Sequence, residues 1–382
     1  MKTQQIQISE LAALTPALAR LSAPADADLA LIFGSRTLLG EPGLCQRITA
    51  DCPRAILIGC STAGEITDQG VADDTLVLNL VHFDRVRLTV AATELTHMDD
   101  SRSAGQRLGA ELKATNPHAI VVLGPGVAIN GSALIEGLHQ AIGDGVTITG
   151  GLAGDGSRFQ QTLVMTPAGP SSQAVVALGL SGEALCFNHG IFGGWFPFGT
   201  LRKVTKASGN VLFELDHKPA LDIYRTYLGD YARDLPSSAL LFPFEMHAAD
   251  QSKTGLIRSI LGIDEADGSL TLAGDIDPDG YLQLMHSSAD RLINGAETAA
   301  TAARDMTPHP DPGLALLVSC VGRKLVLGVR VDEEIEAVAD ILGRGTVLTG
   351  FYSYGEFGPL ASGTACQLHN QTMTITWIGE AP

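Results

Sequence analysis

The sequence predicts an α/β fold, with mixed sheets and flanking helices arranged as two related halves packed together. Three observations predict it. Short runs of Val, Ile and Leu with the length of strands alternate with helical stretches. A strand–helix–strand unit closed by a glycine turn recurs along the chain. At 382 residues the chain is too long for one ordinary core and suits two closely packed domains.

The first unit runs from the strand Leu29–Phe33 through a helical stretch near 43–52 to the strand Ala55–Ile58. It closes with the turn Gly59-Cys60-Ser61-Thr62-Ala63-Gly64-Glu65. The second has the strand Ala119–Leu123, a helix over Ser132–Ile142, the strand Val146–Thr149 and the turn Gly150-Gly151-Leu152-Ala153-Gly154-Asp155. The third has the strand Leu314–Val318, the helix Asp332–Leu342, the strand Thr346–Thr349 and the turn Gly350-Phe351-Tyr352-Ser353-Tyr354-Gly355-Glu356. Each spans roughly 35–40 residues and is followed by alternating β-rich sequence such as Leu76–Val81, Gln173–Leu180 or Thr372–Trp377. A solenoid would stack such units in tandem. Here a long insert separates the second from the third, so duplicated half-domains fit better.

The insert is less regular. Lys218-Pro219-Ala220 opens a helix through proline, Leu240–Phe244 reads as a strand that Pro243 confines to an edge, and Ser269–Ala273 is a strand between turns. Asp290–Ala303 is an Ala-rich helix stopped by the proline-rich linker 307–312. The expected organisation is a helical lead over 1–28, a first domain over 29–220 and a second over 221–382.

Composition sets limits on function. Against 42 acidic residues stand 25 basic ones, a formal charge of −17 that repels phosphate backbones and anionic membranes. No nucleic-acid or membrane partner is expected. The six cysteines include no C-x-x-C pair, so zinc spacing and a disulfide scaffold are both missing. The N-terminal residues lack the apolar core of a signal peptide, and the expected compartment is cytoplasmic.

The repeated turn Gly59–Glu65 invites comparison with a phosphate loop. A phosphate loop needs Lys after its last glycine, and here Glu65 and Glu356 stand in that place, where a carboxylate repels phosphate. A nucleophile elbow needs G-x-S-x-G, and Gly59-Cys60-Ser61-Thr62-Ala63 lacks the final glycine. An enzyme using Ser61, Cys60 or Cys320 is the weaker alternative, because no His–acid partner is assignable. What remains is a turn presenting an acid at a strand end, where open α/β sheets place ligands. Glu65, Asp155 and Glu356 either converge on a small ligand or accept N–H bonds inside their own turns. Asp275–Gly280 follows the front half of a calcium loop but has His286 where the bidentate Glu belongs, so it reads as a β-turn. His247 and His189, beside strands and apolar neighbours, are candidate axial metal ligands. Trp195, within Gly194-Trp195-Phe196-Pro197-Phe198-Gly199, is a candidate pocket wall.

Together these segments resemble the FIST domain, a sensory module of bacterial signal transduction. The N-terminal resemblance lies in Ile58–Ile66, Gly150–Asp155, Gly194–Gly199 and Glu214–Leu221. The C-terminal one lies in Ser319-Cys320-Val321-Gly322-Arg323, Gly350–Glu356 and Leu368–Thr372. The resemblance implies a non-catalytic domain that binds a small-molecule or gaseous ligand and signals to a histidine kinase or other output protein. One branch of stand-alone members implies haem as cofactor and nitric oxide as the sensed gas; an amino acid or other small polar ligand is the alternative. The expected ligand-binding residues are Ser61, Thr62, Glu65, Asp155, Trp195, Arg323, Tyr352, Tyr354 and Glu356, with His247 or His189 on a haem iron.

Overall fold

The structure, a computed structural model, describes residues 1–235, 237–307 and 312–381. The α/β fold class is as expected. Its frame is three parallel strand pairs, rich in Val, Ile and Leu because such strands are covered on both faces. Leu29–Gly34 pairs with Ile56–Ser61, Ala119–Gly124 with Thr147–Leu152, and Gly313–Cys320 with Thr346–Ser353. The strands Leu76–His82, Ala174–Ser181 and Met373–Glu380 return antiparallel against the first strand of each pair. The strands Lys2–Ile8, Arg87–Glu94 and Leu185–Phe192 complete one edge of each sheet.

The other edge is completed by exchange. The hairpin Glu65–Thr67/Gly70–Ala72 leaves the first unit and pairs with Thr346–Ser353 of the third. The hairpin Val164–Thr166/Gly169–Ser171 of the second unit pairs with Ile56–Ser61 of the first. Gly355–Pro359 and Cys366–His369 of the third pair with Thr147–Leu152 of the second. The result is three six-stranded sheets of the same strand plan, each finished by a neighbour.

The strand period of two divides their side chains between two environments. Leu29, Leu31, Phe33, Val121, Leu123, Leu314, Leu316 and Val318 face one shared core, where the Phe33 and Phe351 rings stack at 4.8 Å. Ala30 and Ile32 turn outward to Leu14, Leu44 and Ile48, while Ile120, Val122, Ala315 and Leu317 turn toward the helices Ser101–Lys113, Gly131–Ile142, Ala289–Met306 and Val331–Leu342. The two halves are therefore interlocked through shared sheets. Residues between Phe196 and His286 form a separate nine-stranded sheet with its own core around Tyr224, Leu270 and Leu284.

Several local expectations are corrected. The lead over 1–28 is not wholly helical: Lys2–Ile8 is an edge strand, because a free sheet edge beside Leu76–His82 outcompetes a helix for its backbone groups. Leu240–Phe244 is not a strand. Ser237–Leu241 is a short 3-10 helix, and the strand starts at Phe244, beyond Pro243. The proline-rich linker over 307–312 lies outside the described residues apart from Thr307 and Pro312. Among the described residues, no helix is long and apolar enough to cross a membrane.

Candidate functional site

Each glycine turn starts at a position where only hydrogen fits. A Cβ on Gly59 would lie 1.8 Å from the Ile32 carbonyl oxygen, one on Gly150 1.9 Å from Val122 O, and one on Gly350 1.9 Å from Leu317 O. The close approach lets each chain leave its parallel strand abruptly, and the three turns meet. Backbone bonds lace them together: Ala63 N–H donates to Tyr352 O and Tyr352 N–H to Gly64 O, both at 2.8 Å. Gly154 N–H donates to Ser61 O at 2.8 Å, and Tyr354 N–H to Leu152 O at 3.2 Å.

The turn acids hold this junction. Glu65 accepts from the Thr62 hydroxyl and from Thr75 N–H and Oγ1 at 3.0 and 2.8 Å. Glu356 repeats the pattern with the Ser353 hydroxyl and Thr372 N–H and Oγ1 at 3.1 and 2.9 Å. Asp155 accepts from Phe159, Gln160 and Gln161 N–H at 2.8–3.0 Å and from the Tyr354 hydroxyl. Burial raises the Glu356 carboxyl to about 7, against the pull of Ser353 and Thr372. The Glu65 carboxyl is raised for the same reason. Glu65, with Thr62, also lines a cleft.

The remaining sequence candidates are placed as follows. Ser61 is fully buried; its hydroxyl donates to Gly154 O at 2.7 Å and accepts from Leu163 N–H at 2.8 Å. Arg323 is also fully buried, against the expectation that it meets a ligand. Its guanidinium pairs with Glu334 and donates to Leu292 O and Gly193 O, and Glu334 accepts from Tyr352 OH at 2.8 Å and Ser319 Oγ at 3.1 Å. This network seals both Arg323 and Tyr352 away from solvent. Trp195 donates its indole N–H to Gln371 O at 2.8 Å and packs on Leu292 and Met285 instead of walling one of the clefts described here. Tyr354 stacks on Phe159 at 4.1 Å and lines a second cleft, of about 290 Å³. The thiols of Cys60 and Cys320 are fully buried, and burial drives both well up, which disarms them as nucleophiles.

The principal cleft, of about 500 Å³, lies against the junction. All three units wall it: Ser35, Arg36, Thr62, Asp73 and Asp74 from the first, Ser157 and Arg158 from the second, Lys324 from the third. Lys324 donates to Ala63 O at 2.9 Å and pairs with Asp73, and Arg36 donates to Gln161 Oε1 at 2.9 Å. Arg158 and Asp74 have no ion-pair partner among the described residues. Sequence analysis named Arg323 and none of these cleft-lining charges. A helix advances about 100° per residue, so on Val321–Leu327 Arg323 turns into the core while Lys324, about a quarter-turn on, reaches the cleft. The signal was the Arg323-Lys324 pair read at helical period.

His189 and His247 line none of the clefts described here. His247 is buried, with Nδ1 3.1 Å from Gln251 O and Nε2 3.3 Å from the Glu245 carboxylate. His189 is buried on the strand Leu185–Phe192, where desolvation lowers its pKa. Neither arrangement fits an axial ligand to haem. Among the described residues no group of three His, Cys, Asp or Glu side chains is placed to hold a metal ion.

Interlocked sheets around a walled cleft place the molecule among α/β proteins of the ligand-binding class. The chain belongs to the FIST family: residues 28–218 match the FIST N domain and residues 220–359 the FIST C domain. FIST domains are sensory ligand-binding domains of signal transduction. The uncharacterized protein Rv0628c of Mycobacterium tuberculosis is 28% identical over 96% of this chain and 92% of its own length. The uncharacterized protein Mb0898c of Mycobacterium bovis is 27% identical over 60% of each chain. Two solved structures align along the whole molecule. Cyanuric acid hydrolase from A. caulinodans has 11% identity and a TM-score of 0.35, covering 100% of this chain and 99% of that one. Another cyanuric acid hydrolase, described as structural concatenation, has 11% identity and a TM-score of 0.33, covering 99% of each. These two are named as enzymes, against the expectation of a non-catalytic chain. At such values the likeness goes no further, and neither a reaction nor a residue is carried over from it.

Proposed function

We propose that the chain is a sensory protein whose junction cleft takes a small polar molecule bearing both signs of charge, such as an amino acid, and reports its presence to a signalling partner. The carrying observation is that Arg158 and Asp74, two charges without ion-pair partners among the described residues, both line a cleft of about 500 Å³ walled by all three units. A guanidinium recognises a carboxylate and a carboxylate an ammonium group, while Ser35 and Ser157 add hydroxyls. Because the cleft spans the exchange point of all three sheets, a ligand there favours one arrangement of the junction over others. The haem and nitric-oxide reading, with a histidine kinase as partner, draws no support from the placement of His189 and His247.

The test is a thermal-shift and calorimetric panel of the standard amino acids, with haem titration read at the Soret band as comparison. At least one zwitterion is expected to bind, and Arg158→Ala and Asp74→Ala each to weaken it by about tenfold. A Soret band lost in His189→Ala or His247→Ala, with no zwitterion bound, would overturn the proposal.

A further inference from the structure

A third cleft, of about 460 Å³, lies away from the turn junction, between the helix Gly131–Ile142 and the inserted nine-stranded sheet. Its unusual member is Arg258, at the end of the strand Lys253–Arg258 and only 4% exposed. The guanidinium donates to backbone carbonyls alone: Leu368 O at 3.1 Å, Ile257 O at 3.2 Å and Asp275 O at 3.5 Å. Among the described residues it has no ion pair. Arg323, also buried, has Glu334. The Asp275 charge also acts on Arg258, but its carboxylate is held by the Asn130 amide at 3.3 and 3.4 Å and makes no ion pair with the guanidinium. At Gly274 a Cβ would lie 2.7 Å from Arg258 Nε, so the backbone is pared away to admit the guanidinium.

A buried cation without a direct ion pair is costly, and a bound anion relieves the cost. Two neutral donors share the cleft. His139 Nε2 accepts from Cys366 N–H at 3.2 Å, which places the ring proton on Nδ1 as a donor. The Ser132 hydroxyl lies on the same helix, and Ile135, Met246 and Leu256 form the apolar wall. Glu136, Asp144 and Asp275 stand among the lining residues. A phosphate dianion meets their repulsion twice over, whereas a singly charged group is matched by one guanidinium.

We infer that this cleft is a binding site for a monocarboxylate with a compact apolar body, the carboxylate on Arg258 and the body on Ile135, Met246 and Leu256. The inference is independent of the ligand at the turn junction. Benzoate is the probe, with benzyl alcohol and phenyl phosphate as its neutral and dianionic counterparts, titrated calorimetrically into the full chain. Benzoate is expected to bind at least about tenfold more tightly than either. Arg258→Met removes the guanidinium, and Met246→Trp fills the apolar wall while leaving Arg258 in place; each is expected to weaken benzoate at least about tenfold. If Arg258→Met fails to fold, Met246→Trp alone decides. No benzoate binding, equal binding of benzyl alcohol, or undiminished binding in Met246→Trp would overturn the inference.

Discussion

Replacing Glu356 with Gln tests whether the repeated turn acid is a structural anchor with a burial-shifted proton equilibrium. The carboxyl is fully buried, and its pKa rises from 4.5 to about 7. Each tenfold in the proton equilibrium is worth about 1.4 kcal/mol, so the fold favours the protonated acid by about 3 kcal/mol. Because the folded pKa lies above the unfolded one, this stability is fully present below 4.5 and is lost as pH rises through about 7. A neutral amide keeps an acceptor for Thr372 N–H and Oγ1 and presents its N–H to the Ser353 hydroxyl. Glu356→Gln should therefore gain on the wild type as pH rises from 4.5 to 8, by up to about 3 kcal/mol. Urea unfolding of both proteins across that range measures the difference. Parallel pH profiles, or a variant that loses ground at pH 8, would refute the reasoning.

Other consequences follow from the same geometry. Gly350→Ala drives a methyl to 1.9 Å from Leu317 O and should cost about 1–3 kcal/mol or more, whereas Gly262→Ala, whose nearest atom is Thr271 Cβ at 3.8 Å, should change chemical denaturation little. Arg323→Met strands Glu334 in the core and should cost about 3–5 kcal/mol; adding Glu334→Leu should recover much of that loss in the same denaturation experiment.

Much of the architecture was legible in the sequence, and particular residues show why. Gly59, Gly150 and Gly350 stood out because a backbone carbonyl occupies the space of a side chain at each, which leaves a repeat that spacing alone reveals. The parallel strands were legible from unbroken apolar runs. Their exchange was not, because a short hairpin such as Glu65–Thr67/Gly70–Ala72 carries no mark of which sheet it joins. At the site, the acids Glu65, Asp155 and Glu356 were visible, but whether they face a ligand or their own turns depends on Thr75, Phe159 and Thr372, which tertiary contact brings in. The cleft charges Asp74 and Arg158 lie on loops that periodicity does not register, and Arg36 opens the helix Arg36–Leu39, which is too short to show a period.

The central claim, a zwitterion bound where the three turns meet, is tested most directly by hydrogen–deuterium exchange with and without the amino acid giving the largest thermal shift. Slowed exchange is expected in 62–65, 73–75 and 156–161, and should be abolished in the Arg158→Ala protein. Protection confined to the strands carrying His189 and His247, or none in any of these segments, would contradict it.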